Sequence, residues 1–267
     1  MSGPRLLVFS DLDGTLIDHD TYRCDAAGPA LAALRRIGAG LVMASSKTAA
    51  EIAPLREDLG WAEWPAIVEN GAGILPAQSD AGIEAKDYTR LRAALGALPP
   101  PLRGLFSGFG DMSVAQVAQI TGLSPQAAER ARQRCFSEPG QWHGTPGQQA
   151  QFETLLGAQG ITAQQGGRFL TLSFGANKAD RMRAIIAEFR PLHTVALGDA
   201  PNDLQMLETA DTGVIVANPH GTPLPRLRNE GDGRIIRTKE AGPSGWNRAI
   251  LDLIAELDAG QPGLQGD

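Results

Sequence analysis

Two acidic turns hold the side chains of this sequence best suited to chemistry. The first, Asp11-Leu12-Asp13-Gly14-Thr15, directly follows the apolar run Leu6-Leu7-Val8-Phe9. Carboxylates two residues apart at a strand end are expected to point to one side, and two anions about 4 Å apart repel by about 4 kcal/mol at an effective dielectric near 20. A divalent cation relieves that repulsion, and hard oxygen ligands with room left for water suit Mg²⁺. The second turn, Gly198-Asp199-Ala200-Pro201-Asn202-Asp203, again follows an apolar run. Asp11, Asp13, Asp199 and Asp203 are therefore the candidate metal ligands. The alternative for the second turn is capping, with Asn202 or Asp203 closing the start of a helix over 204–210. Two such turns behind separate buried strands favour the metal.

The elements that must position these turns follow from the apolar pattern. Residues 5–10 read as a buried strand, followed by a helix with Leu31, Leu34 and Ile37 on one face. A strand over 40–44, a helix carrying Ile52, Leu55 and Leu59, and a short strand at 66–68 repeat the unit. Pro54 is expected to kink the second helix or delay its start. A second series starts with FLTLSF at 169–174. It continues through a helix with Met182, Ile185, Ile186 and Phe189, strands at 194–199, 213–216 and 233–237, and a last helix with Trp246, Ile250, Leu253, Ile254 and Leu257 on one stripe. Strands alternating with amphipathic helices predict an α/β fold with a Rossmann-like parallel sheet. In open sheets of this kind ligands bind beyond the carboxyl ends of the strands, where both acidic turns fall. Residues 78–168 have another texture, with helices expected over 88–98, 114–121 and 126–134 and several Gly- and Pro-rich turns. The reading is a core of 1–77 and 169–267 with an inserted α+β cap over 78–168. The tail from Gly260 is expected to fray.

Composition narrows the classes. With 24 Lys and Arg against 30 Asp and Glu among 267 residues, the net charge is −6. That charge, without a long basic block, argues against nucleic-acid binding, which needs a basic footprint. Arg130, Arg132 and Arg134 read as a solvated helix face. Cys24 and Cys135 show no metal-ligand spacing and read as buried free thiols. The apolar run at the start is too short for a signal peptide or a membrane span, so the chain reads as cytoplasmic, with no membrane partner.

Four ordered signals resemble the haloacid dehalogenase-like (HAD) phosphatases: Asp11-x-Asp13-Gly14-Thr15, then Ser45 closing an apolar strand, Lys178 opening a helix, and Gly198-Asp199-x-x-Asn202-Asp203. The resemblance implies Asp11 as nucleophile, Asp13 as general acid and base, Ser45 and Lys178 as phosphate ligands with Asn202 beside them, and Mg²⁺ held by the acidic turns. A lysine at a helix N-terminus is electrostatically disfavoured, which fits a phosphate role better than a solvent-facing one. The insertion resembles the cap domain of members that act on small phosphorylated metabolites.

Five further segments resemble the mannosyl-3-phosphoglycerate phosphatases: Ser45-Ser46-Lys47-Thr48, Val68-Glu69-Asn70-Gly71-Ala72, Arg134-Cys135-Phe136-Ser137-Glu138-Pro139, Gly166-Gly167-Arg168-Phe169 and Gly242-Pro243-Ser244-Gly245-Trp246. Two departures, Ala179 where Gly is usual and Asn177 where an acid is common, touch no reacting group. The implied partner is a small phosphorylated sugar acid, with Arg168 offering a forked guanidinium to a glycerate carboxylate. Ser137 and Glu138 read as closing a cap helix. Glucosyl-3-phosphoglycerate and sucrose-phosphate-like substrates are the neighbouring alternatives, and a phosphohexomutase or a non-enzymatic binding protein on the same fold are the rivals. A P-loop is excluded because no Gly-rich loop precedes Lys47-Thr48, and an EF-hand because Gly14 comes too early after Asp11.

Overall fold

The computed structural model describes residues 3–79, 82–221 and 223–259, so the tail from Gly260 lies outside the described residues. In chain order the first elements are β1 (Leu6–Ser10), α1 (Gly28–Arg36), β2 (Gly40–Met43), α2 (Ala49–Asp58), β3 (Ala66–Val68) and β4 (Gly73–Leu75). There follow α3 (Lys86–Gly96), α4 (Pro100–Arg103), β5 (Phe106–Gly108), α5 (Val114–Thr121), α6 (Pro125–Arg132), β6 (Glu138–Trp142), α7 (Pro146–Gly157), β7 (Thr162–Gly166) and β8 (Phe169–Ser173). The chain ends with α8 (Lys178–Phe189), β9 (His193–Gly198), α9 (Leu204–Thr209), β10 (Thr212–Ala217), β11 (Ile235–Ala241) and α10 (Gly242–Ala259). It forms two compact units, Met1–Ser45 with Lys178–Asp267, and Ser46–Asn177.

The first unit is built on a five-stranded sheet of order β11-β10-β9-β1-β2, parallel throughout. β1 and β2 are buried along their whole length and β9 and β10 nearly so. That is why they read as continuous apolar runs rather than alternating ones: helices cover both faces of a parallel sheet. Only β11, at the edge, is mostly exposed. The chain leaves β1 toward β2 on one side, while β9 pairs on the other and leads on to β10 and β11. The order reverses between β1 and β9, which is where open α/β sheets form a ligand crevice.

The second unit holds a four-stranded antiparallel sheet of order β5-β6-β8-β7 and a separate hairpin of β3 and β4. Leu91 and Leu95 of α3 and Phe152 and Leu156 of α7 pack with Phe106, Leu170 and Leu172 in one apolar cluster. Phe109, Met112, Val117, Ala128 and Ala131 form a second around α5 and α6.

Several expectations need correction. The segment at 169–174, expected to open the second parallel series, is an antiparallel strand of the second unit. Its pattern carries the reason: only Leu170 and Leu172 are buried, the period-two mark of a sheet with one covered face. α2 begins at Ala49, five residues before Pro54, so its start is not delayed. A capping box fixes that start, since Thr48 Oγ1 accepts from the Glu51 N–H and Glu51 Oε2 accepts from the Thr48 N–H. Arg134 lies beyond α6 and is buried, not on a solvated face. Its Nε is 3.2 Å from Glu69 Oε2 and its Nη2 donates to Ser137 Oγ. Cys135 is a buried free thiol as expected, whereas Cys24 is only half-buried.

Candidate active site

The site begins where β1 and β9 end. The Asp11 N–H donates to the Leu197 carbonyl at 2.9 Å, carrying the β1–β9 ladder one residue past Ser10. The chain then turns tightly, with Thr15 N–H donating to Leu12 O and Gly14 N–H to Ile17 O. Gly14 has φ +83°, and a Cβ there would stand 2.8 Å from Asn218 Nδ2 and 3.0 Å from Asp199 Oδ2, so only glycine lets this turn approach the second one. Gly198 has the same duty on β9: a Cβ there would stand 2.5 Å from the Cβ of Asp203, which folds back over it.

Asp11, Asp199 and Asp203 are all buried, and each offers a carboxylate oxygen within 4.8 Å of the others. Lys178, the first residue of α8 and itself buried, lies between two of them, with Nζ 2.5 Å from Asp11 Oδ1 and 2.7 Å from Asp203 Oδ1. The second oxygen of Asp203 accepts from the backbone N–H groups of Asp199 and Ala200. Asp203 therefore does not cap α9 with its side chain; it ties the turn to the lysine. Asp199 Oδ1 accepts from Thr15 Oγ1 at 2.6 Å, and its Oδ2 accepts from Asn218 Nδ2 at 2.7 Å. The His220 N–H donates to Asn218 Oδ1, which fixes that amide's orientation.

The electrostatics are those of a group short of positive charge. Burial pushes the Asp11 carboxyl well above its usual range; Lys178 opposes the shift, and Asp203 and Asp199 add to it. Burial likewise raises Asp199, against the hydrogen bonds from Thr15 and Asn218. Lys178 is held strongly protonated: burial alone would lower its pKa, but Asp11 and Asp203 override that. Three carboxylates face one ammonium, and the donor set is all hard oxygen, so the residues present fit a divalent cation such as Mg²⁺.

Asp13, expected among the metal ligands, stands outside this three-carboxylate group. The strand stops at Ser10, so Asp13 lies in the turn that follows it. Asp13 is half-buried there and bridges to Ile17. Ser45 is buried one step past the bond from the Ala44 N–H to the Ser10 carbonyl, at the same sheet edge as Asp11. Asn202 is exposed in the short turn Pro201–Asp203. Arg168 belongs to the second unit, exposed between β7 and β8, where its Nη1 donates to Ile120 O and its Nη2 to Thr121 O at the carboxyl end of α5.

Three residues escaped the sequence reading. Thr15 lay inside a recognised turn, but nothing local shows that its hydroxyl reaches Asp199. Asn218 follows β10, the fourth strand in chain order to end at this edge, and an amide directly after an apolar strand was the available signal. Glu69 lies in the second unit, fully buried. Its carboxylate accepts from the N–H groups of Cys135, Phe136 and Ser137 and from Ser137 Oγ, besides its ion pair with Arg134. Two of the segments quoted above are thus the two halves of one buried cluster.

Comparison with known proteins finds a family, a relative and two solved structures. A family model described as haloacid dehalogenase-like hydrolase matches residues 8–92 and 148–222. A protein named glucosyl-3-phosphoglycerate/mannosyl-3-phosphoglycerate phosphatase, from Methanococcoides burtonii, is 34% identical over 94% of this chain and 97% of its own. Among solved structures, the sucrose-phosphatase of Synechocystis sp. PCC6803, in complex with sucrose and phosphate, superposes with a TM-score of 0.59 at 20% identity, over 97% of this chain and 99% of that one. A phosphatase of the haloalkanoate (HAD) enzyme superfamily from Bacteroides thetaiotaomicron gives 0.63 at 19% identity, over 92% and 94%. At these identities the two structures establish the fold.

Proposed function

The chain belongs to the haloacid dehalogenase-like hydrolase family and is a phosphoric monoester hydrolase, and from that premise we propose that it is a Mg²⁺-dependent phosphatase of hexosyl-3-phosphoglycerates, the mannosyl compound first. The observation that carries the chemistry is the buried group of Asp11, Asp199 and Asp203 around Lys178. The substrate class rests on the relative from Methanococcoides burtonii and on the five segments that resemble the mannosyl-3-phosphoglycerate phosphatases.

In this reading Asp11 attacks phosphorus and forms an aspartyl-phosphate, splitting one difficult displacement into two. Asp13 protonates the departing alkoxide and then takes the proton of the attacking water. Lys178 neutralises charge on the transferring phosphoryl oxygens, and Ser45 with the backbone N–H groups of the first turn orients them. Asn202, exposed beside Asp203, contributes to phosphate binding in the same reading. Asp11, Asp199 and Asp203 would hold the metal, which would supply charge neutralisation at the phosphoryl group. Residues 78–168, which lie within the second unit, are the substrate-selecting cap, with Arg168 as its contact to the glycerate carboxylate.

Phosphate release by wild-type protein and Asp11→Asn tests the chemistry. The variant should be folded and inactive, and wild-type turnover should stop in excess chelator. Steady-state release by the variant, or full activity without divalent metal, overturns the proposal. A panel of mannosyl-3-phosphoglycerate, glucosyl-3-phosphoglycerate, sucrose phosphate and simple hexose phosphates tests the substrate. The relative's name carries both hexoses, so the glucosyl compound is the second reading. A higher kcat/KM on a plain hexose phosphate would refute both.

A further inference from the structure

The segment Gly242-Pro243-Ser244-Gly245-Trp246 has no part in the chemistry above, yet it is built with unusual constraint. Gly242 has φ +52° and lets the chain pass from the last residue of β11 into α10 without a loop. Gly245 sits so close to the end of β11 that a Cβ would lie 2.0 Å from the Glu240 carbonyl oxygen. These two glycines seat α10 so that Trp246, in its second turn, is fully buried.

The indole N–H of Trp246 donates to Ser10 Oγ at 2.9 Å, and that hydroxyl donates to the main-chain carbonyl of Asp11 at 2.7 Å. Ser10 is the last residue of β1, and its own carbonyl accepts from the Ala44 N–H. With the Asp11 N–H held by Leu197 O, the peptide groups on both sides of the nucleophile are fixed, one by the sheet and one by this relay.

The far end of the same helix is tied to the far end of the same strand. Arg5 donates to the Leu257 carbonyl at 2.8 Å and pairs with Asp258 at 3.0 Å. The lengths agree: from Arg5 to Ser10 at about 3.3 Å per strand residue, and from Trp246 to Leu257 at about 1.5 Å per helix residue, both paths cover about 16 Å. α10 is a splint laid antiparallel along β1 and fastened at both ends.

We propose that Trp246 is a positioning residue for the reaction, acting through Ser10 to hold the Asp11 main chain in line for attack. The inference rests on Asp11 being the nucleophile. A serine hydroxyl with no donor partner is free to rotate; the indole N–H occupies the lone-pair side of Ser10 Oγ and leaves its proton for Asp11 O. Losing the N–H while keeping an aromatic ring frees that rotor, and a small displacement of a nucleophile is enough to slow an in-line displacement.

The test compares Trp246→Phe, Ser10→Ala, the double variant and Arg5→Ala, using kcat and KM for a phosphate ester the wild type turns over, together with Tm. Trp246→Phe and Ser10→Ala should each lower kcat about tenfold with KM nearly unchanged. The double variant should fall no further than Ser10→Ala alone, because one relay is cut twice. Arg5→Ala loosens the opposite end of the splint and should lower Tm without lowering kcat. Losses of kcat in Arg5→Ala that track its loss of Tm, or additive losses in the double variant, reduce Trp246 to a structural role and overturn the inference. Unchanged kcat in Trp246→Phe does the same. An active Asp11→Asn protein would instead remove the reading on which the inference rests, so the two failures are told apart.

Discussion

Thr15 Oγ1 donates to Asp199 Oδ1 at 2.6 Å, joining the two acidic turns across 184 positions of sequence. Both groups are buried, and the bond decides which way the Asp199 carboxylate faces. A hydrogen bond to a charged group contributes about 1.5–3 kcal/mol. Thr15→Ala should therefore raise the Mg²⁺ concentration needed for half-maximal activity by about tenfold or more, with kcat at saturating metal close to wild type. Thr15→Ser should restore the metal response. A kcat defect that no metal concentration relieves would show that Thr15 serves something other than Asp199.

Lys178 balances two of the three buried carboxylates. Breaking a buried ion pair by removing one partner costs about 3–5 kcal/mol, because the remaining charge has no counter-ion. Lys178→Ala should lower the urea midpoint accordingly in metal-free buffer, and added Mg²⁺ should recover part of the loss. Equal destabilisation with and without metal would mean that the carboxylates do not share one cation site.

Arg168 carries the finest part of the substrate reading, and its guanidinium already holds the last carbonyls of α5. If it also reads a carboxylate, Arg168→Ala should cut kcat/KM for the glycosyl-phosphoglycerate by about 10–150-fold, the range of one charge-assisted hydrogen bond, and barely change hydrolysis of a plain hexose phosphate. Equal losses on both substrates, accompanied by a lower Tm, would assign it to α5 alone.

Asp111, in the second unit, gives a pH signature independent of the reaction. Burial pushes its carboxyl up, but hydrogen bonds from Arg92, Arg103 and the Gly108 N–H outweigh burial and hold it at about 2. An unperturbed aspartate titrates near about 3.9, so the folded pKa is depressed. The contribution to stability is full above about pH 4 and is lost as pH falls through about 2. Asp111→Asn should remove that dependence, seen as a difference between wild-type and variant urea midpoints that shrinks as pH falls from 5 toward 2. A constant difference would contradict the assignment.

What could be read from the chain follows a physical divide. Asp11, Lys178, Asp199 and Asp203 were found because each stands at the end of an apolar strand or the start of a helix, and the parallel sheet then brings such ends to one edge. Trp246 lay on a readable apolar stripe, but its indole N–H has a partner 236 positions away, and no local pattern encodes that. Arg134 was misread for the same reason, its counter-ion Glu69 being on another element. Glu69 and Asn70 both adopt left-handed backbone, φ +52° and +59°, which composition gives no cause to expect. Phe169–Ser173 was recognised as a strand and assigned to the wrong sheet, though its alternation already separated it from the continuous runs of β1 and β9.

The strand order has a kinetic consequence. β1 pairs in register with β9, Leu6 opposite His193, and the whole of Ser46–Asn177 intervenes. Until those strands meet, Asp11 and Lys178 belong to separate ends of a long open loop. Loop closure costs only about 0.6 kcal/mol more for each doubling of length, so the native state tolerates the insertion easily, but parallel pairing at such separation is slow to find. Refolding from denaturant should show the second unit gaining protection from hydrogen exchange before β1 and β9 do. Recovery of activity should follow the later phase, since Asp11, Lys178, Asp199 and Asp203 cannot come together before the sheet closes.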